Sequence, residues 1–300
     1  MMLGLAEFIM RGRWQALAVA ILGSGSLLFG WISAAAVALV TLRNGIASGG
    51  WLVLWALLSA TVIAAITGDT GSMFLLAGTY LLALILRESV SLALALLASV
   101  PMAVAGGLLL GAFNEPVLQD FVSIFNDMFA RLGQELQQEG NSELTFGQLD
   151  VLQLAALLAT GNSVLAVLSL ILGRYWQAAL YNPGGFGEEF RSLKLPLSAV
   201  LTLAGAAIVL WLMGPVWSVW GAAVFLPLTF LGFALLHSYA AYSGKGNSWL
   251  VLMYTLWTIL DPVKWLFVGC AITDAFVDFR SRWSKPSDDD SDEISEHKKD

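Results

Sequence analysis

The residues of this chain that could do chemistry are polar side chains inside long apolar segments. Asn162 and Ser163 stand in the middle of one such segment, and His237 lies near the end of another. Asp261 and Lys264 are three residues apart, so a helix would bring the carboxylate and the ammonium close enough to pair. Such groups are rare in apolar segments and often mark the site of a polar ligand or an ion. These five residues are therefore candidate substrate-binding residues.

The uncharged candidates also have a structural interpretation, which the sequence leaves open. Asn162 and Ser163 can hydrogen bond to a neighbouring helix, as polar residues in packed apolar helices commonly do. His237 can bond to a backbone carbonyl group near the end of its helix, and this competes with a role as a ligand or as a proton carrier.

The charged candidates lie at a proline. Pro262 lacks a backbone donor and clashes with the preceding turn, so the helix must kink or break there. The Asp261–Lys264 pair is then either a structural companion of the kink or part of a binding site. We expect both side chains to point into the bundle, beside any internal cavity, because charges that face lipid are costly.

No enzyme signature accompanies these groups. Asp69-Thr70-Gly71 spells the aspartic-protease tripeptide, but that chemistry needs two carboxylates and the chain has one copy. Ser24 or Ser26 with His237 would lack both a nucleophile motif and an orienting third group. The chain contains no HExxH, Walker lysine motif, paired CxxC or GxGxxG. The sequence thus predicts no catalytic residue, metal site or cofactor.

The composition excludes a soluble globular protein. Of the 300 residues, 58% are hydrophobic and 12% are charged, and the mean hydropathy is +0.75. A soluble domain of this size needs a charged surface. The net charge of −7 comes largely from the last residues, so it does not indicate a nucleic-acid partner. The sequence predicts an all-α, polytopic transmembrane helical bundle whose surroundings are the lipid bilayer.

We expect a single membrane domain over residues 1–282 and a disordered acidic tail over 283–300. The first apolar block, residues 15–42, is too long for one upright helix at about 20 residues per span. Two short helices, over 15–28 and 31–43, are favoured over one long tilted helix. Eight to ten membrane helices are expected in all, the others over 51–67, 72–87, 89–112, 148–173, 196–214, 217–241 and 248–281.

One helix is predicted to lie outside the membrane, over residues 114–138. Apolar residues recur there at helical spacing from Leu118 onward, whereas Asp120 and Arg131 lie on the opposite face. The helix is too polar to span, so it would lie flat on the bilayer or cover the mouth of the bundle. Together with the acids that follow, it makes 114–147 an acidic extracytoplasmic insertion.

Residues 174–196 are expected to form a basic, aromatic loop on the cytoplasmic side. Asn182-Pro183-Gly184-Gly185 must turn, because proline restricts φ and glycine accepts a positive φ. Arginine marks the cytoplasmic side of a membrane protein, and tyrosine and tryptophan mark the headgroup level. Arg174 and Arg191 are expected to anchor the turn at lipid phosphates or at the Glu188–Glu189 pair. The candidate contacts for a partner protein are Arg174, Tyr175, Trp176 and Arg191.

The distribution of charge predicts the orientation in a bacterial inner membrane. With a cytoplasmic N-terminus and two short opening helices, Arg43, Arg87 and Lys245 all fall on the cytoplasmic side. Asp69 and the acidic insertion then fall outside. One long opening helix would reverse this assignment for Arg43 and Arg87, so the positive-inside rule favours the pair of short helices.

That orientation predicts the side of the membrane on which individual residues lie. Gly140 and Asn141 are expected outside the cytoplasm and Gly184 inside it. An unbroken last helix would end outside, although Arg280 and Arg282 favour the cytoplasm. A turn at the proline would resolve this conflict and return the C-terminal segment to the cytoplasmic side.

Several features of the chain together are typical of one group of membrane proteins. They are the opening helix pair that ends in Leu42-Arg43-Asn44-Gly45, the Gly173–Gln177 and Tyr181–Phe186 stretches, Arg191–Pro196, and Gly269–Arg280. In these features and their order, roughly residues 10–282 resemble the YybS-like family of uncharacterised bacterial inner-membrane proteins. That family is thought to be related to the substrate-binding membrane components of energy-coupling-factor vitamin transporters. The resemblance implies a helical bundle with an outward-facing ligand cavity and partners that supply energy.

Two functions are consistent with these observations. The first is a small-molecule-binding or transport component that works with a membrane or cytosolic protein partner, and a polar cavity lined by Asn162 or Asp261 would support it. The second is a non-transporting scaffold or partner protein in envelope physiology that acts through the 174–196 loop. The first is the leading prediction.

Overall fold

The computed structural model describes residues 2–26, 28–138 and 147–283, without the side chains of residues 2, 137 and 138. These residues form α-helices and contain no β-strand, so the all-α prediction is confirmed. Gly140, Asn141 and residues 284–300 of the predicted tail lie outside the described residues. The helices are α1 (Met2–Met10), α2 (Arg13–Ser24), α3 (Gly30–Asn44), α4 (Ile46–Thr67), α5 (Gly71–Ser89), α6 (Leu92–Phe113), α7 (Glu115–Gln138), α8 (Val151–Tyr181), α9 (Gly185–Arg191), α10 (Leu197–Leu212), α11 (Pro215–Ser218), α12 (Gly221–Tyr242), α13 (Asn247–Ile259), α14 (Asp261–Val277) and α15 (Phe279–Trp283).

The contacts divide the chain into two compact units. The first comprises Met1–Phe190 and Thr202–Pro227, and the second comprises the described parts of Arg191–Leu201 and Leu228–Asp300. The single membrane domain predicted over 1–282 stays a prediction.

The opening apolar block forms two short helices, as predicted, and not one long helix. α2 ends at Ser24 and α3 begins at Gly30. The Ser33 hydroxyl donates a hydrogen bond of 2.7 Å to the Ala20 carbonyl oxygen, which ties the two helices together. At 1.5 Å per residue they are about 18 and 22 Å long, so neither alone crosses a hydrocarbon core of about 30 Å.

The second of these helices, α3, is the core of the first unit. Every residue from Ser33 to Leu42 is buried, and α2, α4, α5 and α8 pack around it. Small side chains permit this close packing. At the crossing with α8, a Cβ added to Gly173 would lie 2.7 Å from the Ala38 Cβ and 2.9 Å from the Ala35 carbonyl oxygen. Only glycine fits there, because the opposing atoms include rigid backbone.

The C-terminal end of α3 receives side-chain donors from two other helices. Arg87 of α5 donates to the carbonyl oxygens of Thr41 and Leu42 at 3.1 and 2.6 Å. Gln177 of α8 donates to the same Leu42 oxygen at 3.2 Å. The last carbonyl groups of a helix have no partner within it, and a cation there also favours the helix dipole.

Five helical segments of the described residues are long and apolar enough to cross a membrane, which is consistent with a multi-pass membrane protein. They are Ile46–Thr67, Gly71–Ser89, Leu92–Phe113, Val151–Tyr181 and Pro215–Tyr242. The number becomes six if α13 and α14 count as one broken span. The predicted number of eight to ten membrane helices is reached only when the shorter helices α2, α3 and α10 are counted as well.

The predicted cytoplasmic loop is largely helical, which corrects the expectation for residues 174–196. α8 continues to Tyr181 because the first proline after its start is Pro183. The predicted turn is present, with Gly184 at a φ of 89°, and α9 follows it at once. α8 has 31 residues and is therefore about 46 Å long, so one of its ends must extend beyond the hydrocarbon core.

The helix break at Pro262 is confirmed. α13 ends at Ile259, α14 begins at Asp261, and the two helices are bent by 116°. Proline is suited to the first turn of a helix, where its missing N–H has no partner to lose. The bend is the turn that a cytoplasmic C-terminal segment would require, and the side on which that segment lies stays a prediction.

Candidate functional site

A cavity of about 260 Å³ opens in the first unit at the junction of α4 with α5. The turn between these helices, the C-terminal half of α6, the first turns of α7 and the N-terminal half of α8 all contribute to it. Its polar lining consists of Thr67, Asp69, Thr70, Asn114 and Asn162. Its apolar lining includes Phe74, Leu110, Val117, Leu118, Phe121 and Leu158.

Asn162 brings an amide into this cavity from α8. Its Nδ2 donates to the Leu158 carbonyl oxygen at 3.0 Å, one turn earlier in the same helix. No described residue donates a hydrogen bond to its Oδ1. A Cβ added to Gly71 would lie 3.4 Å from both end atoms of this amide and 2.9 Å from Asp69 Oδ1. Glycine at the start of α5 therefore lets Asn162 and Asp69 approach the same point.

Asp69 and Asn114 complete the polar wall. Asp69 Oδ1 accepts a 2.8 Å hydrogen bond from the Gly71 amide and so shapes the turn between α4 and α5. Its other carboxylate oxygen receives no hydrogen bond from the described part of the chain. Asn114, the residue between α6 and α7, donates through Nδ2 to the Thr70 hydroxyl at 3.4 Å. Its carbonyl oxygen likewise accepts none from the described residues.

α7 is the amphipathic helix that the sequence predicts, and its first turns line the cavity. Leu118 anchors these turns, since only 3% of it is exposed and it packs with Leu154 and Ala155 of α8. Further along, Asn126 donates to the Leu149 carbonyl at 3.0 Å and accepts from the Leu149 amide at 2.8 Å. These contacts hold the start of α7 at the cavity, and whether the helix lies flat on the bilayer or covers the mouth of the bundle stays a prediction.

The chemistry of the cavity follows from this arrangement. Three acceptor oxygens, from Asp69, Asn114 and Asn162, remain unengaged by described residues, and among those residues Asp69 is the only charged one in the lining. Phe74, Phe121 and leucine side chains supply the apolar part of the lining. Such a site complements a small amphipathic molecule that carries N–H or O–H donors, and it disfavours an anion. Neither this cavity nor any other described region groups three or more His, Cys, Asp or Glu side chains that could hold a metal ion.

Ser163, the neighbour of Asn162, has the structural role that the sequence left open. It is buried, and its hydroxyl donates to the Ser99 carbonyl oxygen of α6 at 3.0 Å. This interhelical hydrogen bond satisfies the hydroxyl group, and Ser163 does not line the cavity. Of the two adjacent candidates, only Asn162 faces the space.

The Asp261–Lys264 pair forms as predicted, but its expected inward orientation is wrong. Lys264 Nζ lies 2.7 Å from Asp261 Oδ1, while 83% of the Asp261 side chain and 43% of the Lys264 side chain are exposed. Because Asp261 opens α14, its charge also favours the dipole of that helix. The carboxylate therefore gains two favourable interactions without facing a cavity.

His237 lies in the second unit, where it contacts the side chain of Tyr254. Its Nε2 is 2.7 Å from the Tyr254 hydroxyl. Phe233 packs beside this pair, with its ring centroid 5.0 Å from that of Tyr254 and 5.3 Å from that of Phe267. The surroundings of His237 are thus an aromatic cluster, distinct from the cavity around Asn162.

Two of the four candidate partner-contact residues are engaged within the first unit. Arg174 Nη2 forms a 2.7 Å ion pair with Glu189, which confirms the expected contact with the glutamate pair. Trp176 is only 1% exposed, so the expectation that it contacts a partner is wrong. α8 continues through this stretch, and a helix buries the face that packs against the core. Trp176 lies on that face, so its ring points inward.

The other two candidate partner-contact residues are Tyr175, which is exposed, and Arg191, whose backbone carbonyl group accepts a hydrogen bond. Tyr175 is 43% exposed and packs edge-on against Phe186 at 6.1 Å. Arg191 belongs to the second unit, where its carbonyl oxygen accepts a 2.9 Å hydrogen bond from Arg280. A role for either residue in partner binding stays a prediction.

Asp69, Thr70 and Asn114 are cavity residues that the sequence analysis did not assign to a site. The sequence did contain one indication that these three residues lie close together. All three lie at the ends of predicted membrane helices, and the predicted topology places those ends on the same side of the membrane. That reasoning would have grouped them, although it could not have added Asn162, which lies within a span.

Comparison with protein-family models, with curated proteins and with solved structures found no match to this chain. The resemblance to the YybS-like family accordingly stays a prediction, and the cavity must be interpreted from its own chemistry.

Proposed function

We propose that this protein is a small-molecule-binding component of a bacterial inner membrane that takes part in transport together with partner proteins. The ligand class that we infer is a small amphipathic molecule with hydrogen-bond donors, neutral or positively charged. The observation that carries the proposal is the cavity around Asn162, whose lining combines acceptor oxygens with aromatic and aliphatic side chains.

The position of α7 supports binding over simple packing. A helix that is too polar to span, yet lines a cavity with its first turns, can control access to that cavity. Beyond these turns its apolar residues remain exposed, among them Ile124 at 64% and Met128 at 49%. In a bilayer, this face would rest at the lipid interface, so α7 would hold the cavity at the membrane surface.

The distribution of charge supports an orientation with this cavity outside the cytoplasm. Arg43 and Arg87 lie near the far end of α4, whereas Asp69 lies at the cavity end. The positive-inside rule then favours a cytoplasmic N-terminus. The alternative of a non-transporting scaffold in envelope physiology stays a prediction, and no described contact favours it.

A thermal-stability measurement on the purified full chain in mild detergent tests the proposal. We expect phenethylamine to raise the melting temperature and 3-phenylpropionate, of similar size but opposite charge, to leave it unchanged. Asn162→Leu keeps the side-chain volume and removes the acceptor, and Asp69→Asn removes the charge. Each should weaken apparent amine binding about tenfold, the effect of one charge-assisted hydrogen bond.

Asp120→Asn is the matched control for the charge change, because Asp120 is exposed on α7 and does not line the cavity. It should leave amine binding unchanged. Equal stabilisation by the amine and the acid, or equal weakening by all three substitutions, would contradict the proposed site. Mass spectrometry of small molecules that remain bound after gentle solubilisation would then identify the ligand.

A further inference from the structure

A second cavity, of about 360 Å³, lies at the opposite end of α4. The end of α1, the start of α2, the end of α3 and the start of α4 surround it, all within the first unit. Its polar lining includes Arg13, Asn44 and Ser48, together with Trp51. None of these residues takes part in the cavity around Asn162.

Arg13 determines the charge of this second cavity. Its guanidinium lies 4.6 Å from the centroid of the Trp51 ring and 5.3 Å from that of Trp14. Among the residues that the structure describes, no carboxylate lies within ion-pair distance of Arg13. The two aromatic rings thus hold a cation at the cavity without neutralising it.

The other polar groups here add donors and no negative charge. The Asn44 side-chain amide forms no hydrogen bond with a described residue. The Ser48 hydroxyl donates a long, 3.5 Å hydrogen bond to the Asn44 backbone carbonyl oxygen, which it could exchange for a bond to a ligand. The first turns of α2 and α4 also line the space, and neither helix has a side-chain cap. Unpaired N–H groups in these turns carry partial positive charge, and the C-terminal ends of α1 and α3, which also border the cavity, carry partial negative charge. The full positive charge at the cavity therefore comes from Arg13.

The remaining lining is apolar, from Ile9, Met10, Val40 and Leu52. A cationic end beside an apolar surface and tryptophan rings is the arrangement expected where a protein meets phospholipid headgroups. Arginine also matches the geometry of phosphate oxygens better than lysine does, because its planar group can donate two parallel hydrogen bonds.

We propose that the cavity around Arg13 binds a phosphate group, and that the apolar lining favours the headgroup of an anionic phospholipid as its source. Arg13 would donate to the phosphate oxygens, and Asn44 and Ser48 would complete the set of donors. This site is separate from the proposed ligand cavity, and it gives the protein a second, chemically opposite binding function.

Lipid binding to the full chain in neutral detergent, followed by native mass spectrometry, tests this proposal. We expect phosphatidylglycerol to bind more tightly than phosphatidylcholine. Arg13→Gln should weaken phosphatidylglycerol binding about tenfold, whereas Arg11→Gln, the same charge change two residues away and outside the cavity, should not. Arg13→Lys, which keeps the charge, should recover part of the affinity.

A parallel arm with inorganic phosphate distinguishes the two sources. Protection of the melting temperature by inorganic phosphate alone, lost in Arg13→Gln, would identify a soluble phosphate ligand, while dependence on phosphatidylglycerol identifies the lipid. If Arg13→Gln does not fold, Ser48→Asp introduces a repelling charge without removing the arginine and should cause a similar loss. The proposal is overturned if neither ligand depends on Arg13 or Ser48, or if Arg11→Gln has the same effect.

Discussion

The two cavities of the first unit lie at opposite ends of α4 and have opposite chemistry. One presents the cation of Arg13 and side-chain donors between tryptophan rings. The other presents the carboxylate of Asp69 and the unengaged oxygens of Asn114 and Asn162. The charge asymmetry that distinguishes the loops of a membrane protein therefore extends into its cavities, so one bundle can offer two sites that select opposite ligands.

The length of α4 explains the separation of the cavities. Its 22 residues span about 33 Å, close to the thickness of a hydrocarbon core. A cavity at each end of such a helix would lie at the membrane–water interface. Polar groups remain partly hydrated there, so their free-energy cost is smaller than at the bilayer centre. Both cavities accordingly keep a charged residue that a buried site at mid-depth would have to neutralise.

The largest expected effect concerns accessibility, and it tests whether the two cavities face opposite sides of the membrane. In a Cys270→Ser background, Ser48→Cys reports on the Arg13 cavity and Glu115→Cys on the start of α7. A membrane-impermeant thiol reagent applied to intact spheroplasts should label only Glu115→Cys, and both variants after lysis. Labelling of Ser48→Cys alone in intact spheroplasts would invert the orientation, and labelling of both would refute opposite sides.

Gly173→Leu should cause the largest loss of stability and should disturb both cavities together. The new side chain would meet Ala35 and Ala38 of the buried helix α3, on which both ends of the unit are built. Overpacking against rigid backbone should destabilise the unit by about 3 kcal/mol. Thermal unfolding in detergent measures this loss, with Gly161→Leu as the control, since no atom lies near a Cβ at that position of α8. Equal loss in both variants would show that the crossing at Gly173 is not special.

A smaller effect is expected at the end of α3, close to the Arg13 cavity. Arg87→Met removes two donors from buried carbonyl groups and should destabilise the unit by about 2 kcal/mol. Arg43→Met, which removes an exposed guanidinium 3.9 Å from the centroid of the Tyr181 ring, should cost only about 0.5 kcal/mol. Thermal unfolding of both variants compares them, and a larger loss at Arg43 would contradict the assigned cap.

The smallest effect is expected in the second unit, which contributes no described lining residue to either cavity. Lys194 donates a hydrogen bond to Asp278 and lowers the pKa of this carboxyl below its ordinary value of 3.8. The pair thus stabilises the fold above pH 3.8, and the contribution disappears as the pH falls through the lowered pKa. Between pH 7 and pH 3, the melting temperature of Asp278→Asn should depend slightly less on pH than that of the unsubstituted protein. No change in that dependence would show that the exposed pair contributes nothing.

Asp274→Asn provides the contrast within the same region. Asp274 is 5% exposed, accepts a 2.9 Å hydrogen bond from the Phe279 amide, and lies 3.4 Å from Arg280. Removing a charge that faces a buried arginine should cost more than removing the exposed Asp278. Thermal unfolding of Asp274→Asn and Asp278→Asn at pH 7 tests this order of stability losses.

The sequence by itself determined the class of protein and most of its helices. Apolar composition required membrane helices, and glycine and serine residues predicted the division of the first block into α2 and α3. Helical periodicity predicted α7, and Pro262 predicted the bend between α13 and α14. These features depend on local chemistry, so a single chain segment contains the information that specifies them.

Only the tertiary structure decided which polar residues share a site. Asn162 and Ser163 are adjacent in sequence, yet one faces a cavity and the other bonds to α6, because neighbouring residues on a helix point about 100° apart. Which face of α8 meets its neighbours depends on packing with α3, α5 and α6, and no segment of the sequence contains that information alone. The same cause placed Trp176 in the core and left Asp261 exposed, since packing between distant helices selects the buried face.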